Sequence, residues 1–350
     1  MIQTRIMPLA LFMLLAGFMK ANSEELLPHG SNRFVTRKSE VITDFKQGNL
    51  VIVQSAVSLS GKLYITGHSA GSGVFEYRKM IKAAKESRAH DYAALINVTM
   101  EQTPEGLKLM LQAPNPPPWS GAKQSAVIEG ELRIPFDCEL DIRAGYFDIV
   151  VEGPFKAVSN LSSYGRLEVN QITEQILLAT SGQDIIARQI SGDIALETSN
   201  GEIRIVNMIV GEKQAFLRSQ NGNIIIDHCV GGADIKASYG KVKATNAVFN
   251  SARIHIDGSY SPIELGITSL DNAVITAVNI NEDIEITLPD TASVHFLLEV
   301  DADSEINVEG ILLRPVFVDD RRLEFISGEG KAEITAEVTG IGDIMVEGMP

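Results

Sequence analysis

The stretch SNGEIRI at residues 199–205 is followed about twenty residues later by SQNGNIIID at residues 219–227. Related forms are SYGRLEV from residue 163 and SYGKVKA from residue 238. In each copy a glycine precedes a segment in which aliphatic side chains alternate with polar ones, which is the period of a half-buried strand. We interpret the unit as a tight turn followed by a short strand, with glycine permitting the positive φ of the turn.

The unit recurs at a nearly constant spacing. Its glycines stand at positions 145, 165, 182, 201, 222, 240 and 258. A period near twenty residues is typical of solenoids and is too short for propeller blades, which need about forty residues. We predict an all-β chain, a single-stranded β-helix or β-solenoid with about 20 residues per coil and coils stacked about 4.8 Å apart.

The alternation predicts which side chains face the interior. The predicted inward ladders are Phe147/Ile149, Leu167/Val169, Ile194/Leu196, Ile203/Ile205 and Ile224/Ile226. The predicted outward residues carry both signs of charge and include Asp148, Arg166, Glu168, Glu202, Arg204, Lys241 and Lys243. Such outward pairs are modest stabilisers, worth about 0.2–1 kcal/mol each. The inner positions are therefore constrained, while the outer ones only need to stay solvated.

The chain divides into three predicted regions: a signal peptide at 1–23, a β-rich capping region at 24–128, and a solenoid at 129–350. The capping region carries the one helical stretch, RKMIKAAKESRAHDYAAL, so we predict a helix over about 78–95. Because a solenoid exposes unpaired edges, we expect this region to cover the first coil. At the other end, RPVFVDDRRLEF and the final GIGDIMVEG are predicted to close the stack.

The first residues indicate export. Arg5 precedes the apolar run IMPLALFMLLAGF, and Ala21 and Ser23 provide small residues for cleavage after Ser23. The run is shorter than the roughly 20 apolar residues of a spanning helix, so a secretory signal peptide is favoured over a permanent anchor. We expect the mature protein in the periplasm, on the outer cell surface or secreted.

Composition narrows the class of partner. The 350 residues carry a formal net charge of −15, which opposes binding to nucleic acid because phosphate contacts require cations. Removing Arg5 and Lys20 with the signal peptide makes the mature charge −17 (−15 − 2). The acidity keeps an exported protein soluble.

The run ELRIPFDCELDIRAGYFDIVVEGPFKAVSNLSSYGRLEV, together with SGDIALETSNGEIRI, QNGNIIID and GIGDIMVEG, resembles the bacterial β-strand-repeat proteins known as putative adhesins. The resemblance covers about residues 40–350. It implies a β-solenoid of adhesin type with an interaction or scaffold role at the cell envelope. The family is defined around a domain of unknown function, so the resemblance implies no catalytic residues.

One local motif suggests an enzyme. GHSAG at 67–71 fits the G-x-S-x-G nucleophile elbow, with Ser69 as nucleophile, and it precedes the predicted helix. The elbow normally follows several β/α units, whereas the short mature chain before Ser69 contains no helix. We interpret GHSAG as a surface turn, and predict no catalytic residue.

No metal or cofactor site is predicted. The histidines at 29, 68, 90, 228, 255 and 295 lack a metal-ligand spacing, and His255 and His295 alternate with apolar residues as outward strand residues do. DADSE at 301–305 lacks the EF-hand glycine, since Ile306 stands there, and GGAD at 231–234 occurs once. Cys138 and Cys229 lie about four coils apart, roughly 20 Å, so we predict two free thiols.

Arg314, Arg321 and Arg322, beside Asp319 and Asp320, form either a patch for an anionic glycan or a solvated loop, and the loop is favoured. Taken together, the sequence predicts an exported, non-enzymatic solenoid that binds an unknown protein or glycan of the envelope. Two alternatives remain open. One is a carbohydrate-active β-helix enzyme using outward carboxylates such as Asp148, Glu168, Asp193 and Glu202. The other is a partner of an envelope signalling system.

Overall fold

The computed structural model describes residues 25–45, 48–121, 123–211, 213–301 and 303–350. The predicted signal peptide lies outside these residues. The N-terminal elements are β1 (Leu26–Pro28), β2 (Arg33–Thr36), β3 (Ser39–Asp44), β4 (Leu50–Ser55), β5 (Ser60–His68), β6 (Ser72–Lys82), α1 (Glu86–Ala94), β7 (Asn97–Gln102), β8 (Gly106–Gln112) and β9 (Ser125–Pro135).

The middle elements are β10 (Glu139–Arg143), β11 (Phe147–Ser163), β12 (Leu167–Thr180), β13 (Ile185–Thr198), β14 (Ile203–Val210), β15 (Ala215–Ser219), β16 (Ile224–Val230), β17 (Ala233–Ser238), β18 (Val242–Asn250), β19 (Arg253–Ser259) and β20 (Ile263–Asp271). The C-terminal elements are β21 (Val274–Ile280), β22 (Ile284–Pro289), β23 (Val294–Val300), β24 (Ile306–Glu309), β25 (Arg314–Val318), β26 (Arg322–Ser327), β27 (Ala332–Thr339) and β28 (Ile344–Met349). All of these strands are connected by pairing, and α1 is the one helix of the described residues. The all-β prediction is confirmed.

Twelve strand segments pair in parallel to form face 1. Its order is β9, β5, β11, β12, β13, β14, β16, β18, β20, β22, β28 and β24. From β11 to β22 each pairing joins residues about one repeat apart, so Ile185 pairs with Ile203 and Ile203 with Ile224. These side chains are fully buried, and the predicted inward residues of this face form a continuous column.

Face 2 has the same construction. Its order is β8, β4, β10, β11, β12, β13, β15, β17, β19, β21, β27 and β23. Ile194 and Leu196 are buried as predicted, but they belong to this face, where Leu196 pairs with Leu178 and Leu217. The long strands β11, β12 and β13 contribute to both faces. Each layer therefore supplies one segment to each face. The turn that leads from the face 2 segment of one layer to the face 1 segment of the next, such as residues 199–202 between β13 and β14, is called the corner.

The N-terminal end of the stack is out of chain order. β4 lies between β8 and β10, and β5 lies between β9 and β11. The parallel layers therefore extend into the region that was predicted to be only a cap. Antiparallel strands cover the end: β7 pairs with β8, β6 with β9, and β2 and β3 with β6.

The predicted helix over 78–95 is wrong at its start, because residues 72–82 form strand β6 and the helix begins at Glu86. Phe75, Tyr77 and Ile81 alternate inward along β6, and Lys79 occupies the inward position between them. The buried Lys79 ammonium donates a hydrogen bond to the carbonyl of Ala93, 3.0 Å away in α1. A lysine in an apolar row hides the strand period from the sequence.

The C-terminal end is also out of chain order. β27 lies between β21 and β23, and β28 lies between β22 and β24. The closing GIGDIMVEG segment, which contains all of β28 except Met349, was predicted to end the stack but is one layer inside it. The antiparallel hairpin of β25 and β26 does lie on the end, against β23.

The corner glycines have a different role from the one predicted. Gly201 and Gly222 do not adopt positive φ; a Cβ at Gly201 would lie 1.9 Å from the carbonyl oxygen of Gln183 in the neighbouring layer. Glycine is needed because adjacent turns approach this closely. Positive φ occurs where the face 1 strands β12, β13, β14, β16 and β18 bend, at Gln171, Gln189, Asn207, His228 and Asn246, and at two corner tyrosines, Tyr239 and Tyr260.

Candidate functional site

The outward charges of face 1 form a ladder of ion pairs, as predicted from their alternation. Glu168 contacts Arg166 at 3.5 Å and Arg188 at 2.5 Å, and Glu202 contacts Arg204 at 2.6 Å. Such exposed pairs link neighbouring residues and contribute little individually.

The same ladder continues at Glu264, whose carboxylate contacts Lys241 and Lys243. Partial burial raises the pKa of Glu264, but hydrogen bonds and charge from the two lysines outweigh it and hold the pKa below its usual value. This carboxylate therefore behaves as a structural anion.

The carboxylates considered for catalysis do not converge. Glu168 and Glu202 are held by arginines, and Asp148 accepts the backbone N–H of Arg166 at 3.0 Å. Asp193 pairs with Lys213 and lies on face 2, away from the other three. General acid–base work needs two such groups on opposite sides of one reacting bond, and these four are not placed so.

An open groove of about 430 Å³ lies beside the capping strands and contains two facing carboxylates. Glu76 and Glu131 are opposite each other in the pairing of β6 with β9. Glu76 contacts both Lys38 and Arg133, and Glu131 lies 3.8 Å from Arg133. Each of these carboxylates contacts at least one cationic side chain, so the groove contains an ion-pair network and not a free acid–base pair.

In GHSAG, Gly67 and His68 end β5 and residues 69–71 form the turn to β6, so a strand follows the motif and not the helix that a nucleophile elbow requires. The His68 ring is engaged locally: Nε2 lies 2.9 Å from the carbonyl of Ser72, and Nδ1 accepts the N–H of Ala70. Neither nitrogen is directed at Ser69 as a general base would be.

Histidines and acidic turns assemble no metal site among the residues that the structure describes. His255 and His295 are half-buried on the outside of face 2, and His295 contacts Glu324 at 3.1 Å. In DADSE, Asp301 accepts the backbone N–H of Gly340, and in GGAD the residues from Ala233 belong to β17.

Both cysteines are buried free thiols. Burial raises the pKa of Cys138 to about 11, with further contributions from the charges of Asp137 and Glu139. Burial alone raises the pKa of Cys229 to about 12. Thiols of this kind are unreactive packing residues.

The arginine cluster holds the end hairpin together. Asp319 accepts the backbone N–H groups of Arg321 and Arg322, and the Arg322 guanidinium lies 5.5 Å from the ring centroid of Phe317. Arg322 also contacts Glu299 at 3.4 Å. These contacts fit the loop interpretation better than an anion-binding patch.

The corner contains buried hydroxyl and amide groups that were not predicted from the sequence. The Thr198 hydroxyl donates to the carbonyl of Gln183 at 3.2 Å and accepts the N–H of Gly201 at 3.0 Å. Ser219 repeats this arrangement with Gly201 and Gly222. The members of this buried polar ladder are Ser163, Thr180, Thr198, Ser219, Ser261 and Asn279. The Ser or Thr that precedes each turn glycine was the available signal.

The outer side of the corner carries exposed aromatic rings. Tyr146 stacks on Tyr164 with ring centroids 5.0 Å apart, and Tyr239 stacks on Tyr260 at 5.4 Å. The four rings are between 47% and 66% exposed. Between the two pairs, the successive turns present Ser181, Asn200 and Asn221, which are all exposed.

The intervening amides are linked from layer to layer. Asn200 donates to the carbonyl of Ser181 at 2.7 Å, and Asn221 donates to the carbonyl of Ser199 and to the side-chain oxygen of Asn200. We call the row Tyr146, Tyr164, Ser181, Asn200, Asn221, Tyr239 and Tyr260 the tyrosine corner. Tyr164 and Tyr239 each precede the glycine of an SYG motif, so the sequence carried a signal for them.

The single helix in the described part of the chain is too short and too polar to cross a membrane.

No protein-family model matches the chain, and no curated protein matches it. The solved structures that are similar to it include the following three. A putative cell adhesion protein from Clostridium sporogenes is 10% identical, with 89% of this chain and 100% of that chain covered and a TM-score of 0.23. A putative adhesin from Bacteroides fragilis is 10% identical, with 89% and 97% covered and a TM-score of 0.25. A putative adhesin from Parabacteroides distasonis is 9% identical, with 89% and 97% covered and a TM-score of 0.24.

Proposed function

We propose that the protein is an exported β-solenoid that acts as an adhesin-like binding protein of the cell envelope. The observation that carries the proposal is the parallel stack itself. Twelve layers at about 4.8 Å spacing give each face a length of about 50 Å. Long regular faces of this kind suit extended binding surfaces.

The difference between inward and outward positions of each strand supports a binding role. Inward positions such as Ile203 and Ile224 are fully buried and constrained by packing, whereas the outward positions vary in size and charge from layer to layer. Variable side chains on a rigid frame can change a binding surface without changing the fold. The predicted signal peptide and the resemblance of the repeat to bacterial adhesin-like proteins support export and a role at the envelope.

The experiment is expression of the full chain in a bacterial host, with fractionation, N-terminal mass analysis and crosslinking on intact cells. We expect a mature N-terminus at Glu24, recovery outside the cytosol, and a crosslinked envelope component. Retention of residues 1–23 on cytosolic protein would overturn the proposal. Turnover of an envelope polysaccharide that Glu202→Gln abolishes would favour the enzyme alternative instead.

A further inference from the structure

We propose that the tyrosine corner binds a neutral, extended glycan chain along the axis of the stack. The inference rests on the proposed binding function and deepens it by naming the ligand class and the residues. It is carried by three features of the corner: its lack of charge, its paired exposed rings, and its ladder of hydrogen-bonding side chains.

The lack of charge distinguishes this corner from the faces beside it. Seven successive turns, AGY, SYG, TSG, TSNG, SQNG, SYG and SYSP between residues 144 and 262, contain no Asp, Glu, Lys or Arg. Charged residues make up 21% of the whole chain. Immediately beside the corner, Asp148, Arg166 and Glu202 mark the start of the charged face 1. A ligand with no net charge fits this stripe, because it neither requires counter-ions nor leaves buried charges unmatched.

The rings are placed at the two ends of a polar track. Tyr164 stacks on Tyr146 with an interplanar angle of 9°, so its opposite ring face is turned toward the layer of Ser181. Tyr239 stacks on Tyr260 at 3°, so its opposite face is turned toward the layer of Asn221. Tyr164 and Tyr239 are four layers apart, about 19 Å at about 4.8 Å per layer. A track of that length accommodates several sugar units.

The chemistry of the track matches a sugar chain. Pyranose rings present C–H faces, which pack on the electron-rich faces of aromatic rings, and hydroxyls, which both donate and accept hydrogen bonds. Beyond the bonds between layers, Asn200 has a second N–H, Asn221 has its side-chain carbonyl, and Ser181 adds a hydroxyl. The layer-to-layer bonds of Asn200 and Asn221 hold these amides in a defined row.

The narrowness of the track favours a single polymer chain over a folded protein. Along the row the corner presents one tyrosine, serine or asparagine per layer, with Gln183 and Gln220 exposed beside it. A stable protein interface needs about 800 Å² on each partner, which is more than this narrow row offers. The charged residues of face 1 are already paired with each other, as in Glu202 with Arg204, and do not extend the neutral surface.

The test measures binding of cellohexaose, chitohexaose and maltohexaose to the mature full-length protein by calorimetry, with a polygalacturonate hexamer as the anionic comparator. The variants are Tyr164→Ala, Tyr239→Ala and Asn200→Ala. Tyr64→Ala is the matched control, because Tyr64 is an exposed tyrosine on face 1, beside Lys62 and away from the corner. Thermal unfolding of each variant identifies any loss of fold, and Tyr164→Phe, which keeps the ring, provides a variant expected to bind.

We expect at least one neutral hexasaccharide to bind the wild-type protein. Tyr164→Ala and Tyr239→Ala should each bind it at least tenfold more weakly. The affinities of Tyr64→Ala and Tyr164→Phe should stay within twofold of the wild-type value. Lack of binding to all three neutral probes would overturn the glycan site, as would preference for the anionic probe or equal binding by Tyr164→Ala. Self-association lost in the same variants would assign the corner to a second copy of the chain. Export and envelope crosslinking that persist in a Tyr164→Ala/Tyr239→Ala protein would leave the proposed function standing without this site.

Discussion

Ile203 and Ile224 lie opposite each other on neighbouring parallel strands, and both side chains are fully buried. The same column continues through Ile185 on one side and Val242 on the other. Each residue of the column therefore packs between its two counterparts, and removing one side chain leaves a cavity that the layers above and below cannot fill without losing register.

Ile203→Ala is expected to lower the free energy of unfolding by about 2–5 kcal/mol, because it combines lost burial with an unfilled cavity. Arg204→Ala is the control: the neighbouring side chain points outward and contacts Glu202, so its loss should cost less than about 1 kcal/mol. Urea denaturation monitored by circular dichroism measures both. Equal effects of the two changes would contradict the alternation of inward and outward positions.

The approach of adjacent turns predicts a sharp difference between two glycines. Gly201→Ala places a Cβ within 1.9 Å of the Gln183 carbonyl oxygen, so the turn must shift and we expect a loss of about 1–3 kcal/mol. Gly71→Ala meets no atom within 4 Å and should stay within about 0.5 kcal/mol of the wild type. Thermal and urea unfolding of the two variants, side by side, give the comparison. If Gly201→Ala left the free energy of unfolding unchanged, the layers would be spaced more widely at the corner than the structure shows.

The buried polar ladder of the corner predicts a specific role for one hydroxyl. Thr198→Val keeps the shape of the side chain but leaves the N–H of Gly201 without its acceptor. An unsatisfied buried group costs about 1–3 kcal/mol, which is the loss we expect in the free energy of unfolding. Thr198→Ser retains the hydroxyl and should lie closer to the wild type. If valine and serine proved equally stable, the hydrogen bond would contribute nothing.

Much of the fold could be predicted from the sequence, because in the middle of the chain the repeat is regular and inward residues are aliphatic. Ile203, Ile205, Ile224 and Ile226 are buried as their alternation indicates. The ends were harder, because pairing between distant segments is not encoded in a local period. Nothing near β28 indicates that it pairs on both edges, with β22 and with β24.

The candidate site was less predictable for a different reason. The tyrosines and asparagines of the corner recur with the same period as the glycines. However, the residue type at this position changes from one layer to the next. Tyr164 and Asn200 share a row although their side chains are unrelated, so the row becomes visible only when the layers are aligned in space. The repeated glycines indicate where the turns are, but the candidate binding surface is formed by the exposed residues next to them.

The burial and the raised pKa values of the two thiols predict that they react slowly with thiol reagents in the folded protein. In the native protein, neither Cys138 nor Cys229 should react with Ellman's reagent at pH 8, and both should react in denaturant. Rapid release of two equivalents without denaturant would contradict their burial.

A pH dependence of stability follows from the same burial. The Cys229 pKa is about 12 in the folded state, against 9.0 as the ordinary value. Its contribution to stability is fully present below pH 9 and is lost as the pH rises toward 12, because only the unfolded state releases the proton in that window. The decline in thermal stability between pH 9 and pH 11 should therefore be less steep in Cys229→Ala than in the wild type. Identical slopes would mean that the thiol titrates normally.

The position of β28 predicts that the last strand of the chain is essential although it lies at the C-terminus. Ile344 is fully buried between Ile284 of β22 and Ile306 of β24, whereas the adjacent Met345 is 46% exposed. Ile344→Asp puts an unpaired charge into the interior of the stack and should separate the last layers, with early proteolysis near β23 to β26. Met345→Asp places the same charge outside and should leave protease resistance and the melting temperature close to those of the wild type. Limited proteolysis with mass identification of the fragments measures the effect of both changes. If β28 lay outside the stack and did not pair on both edges, both changes would be tolerated.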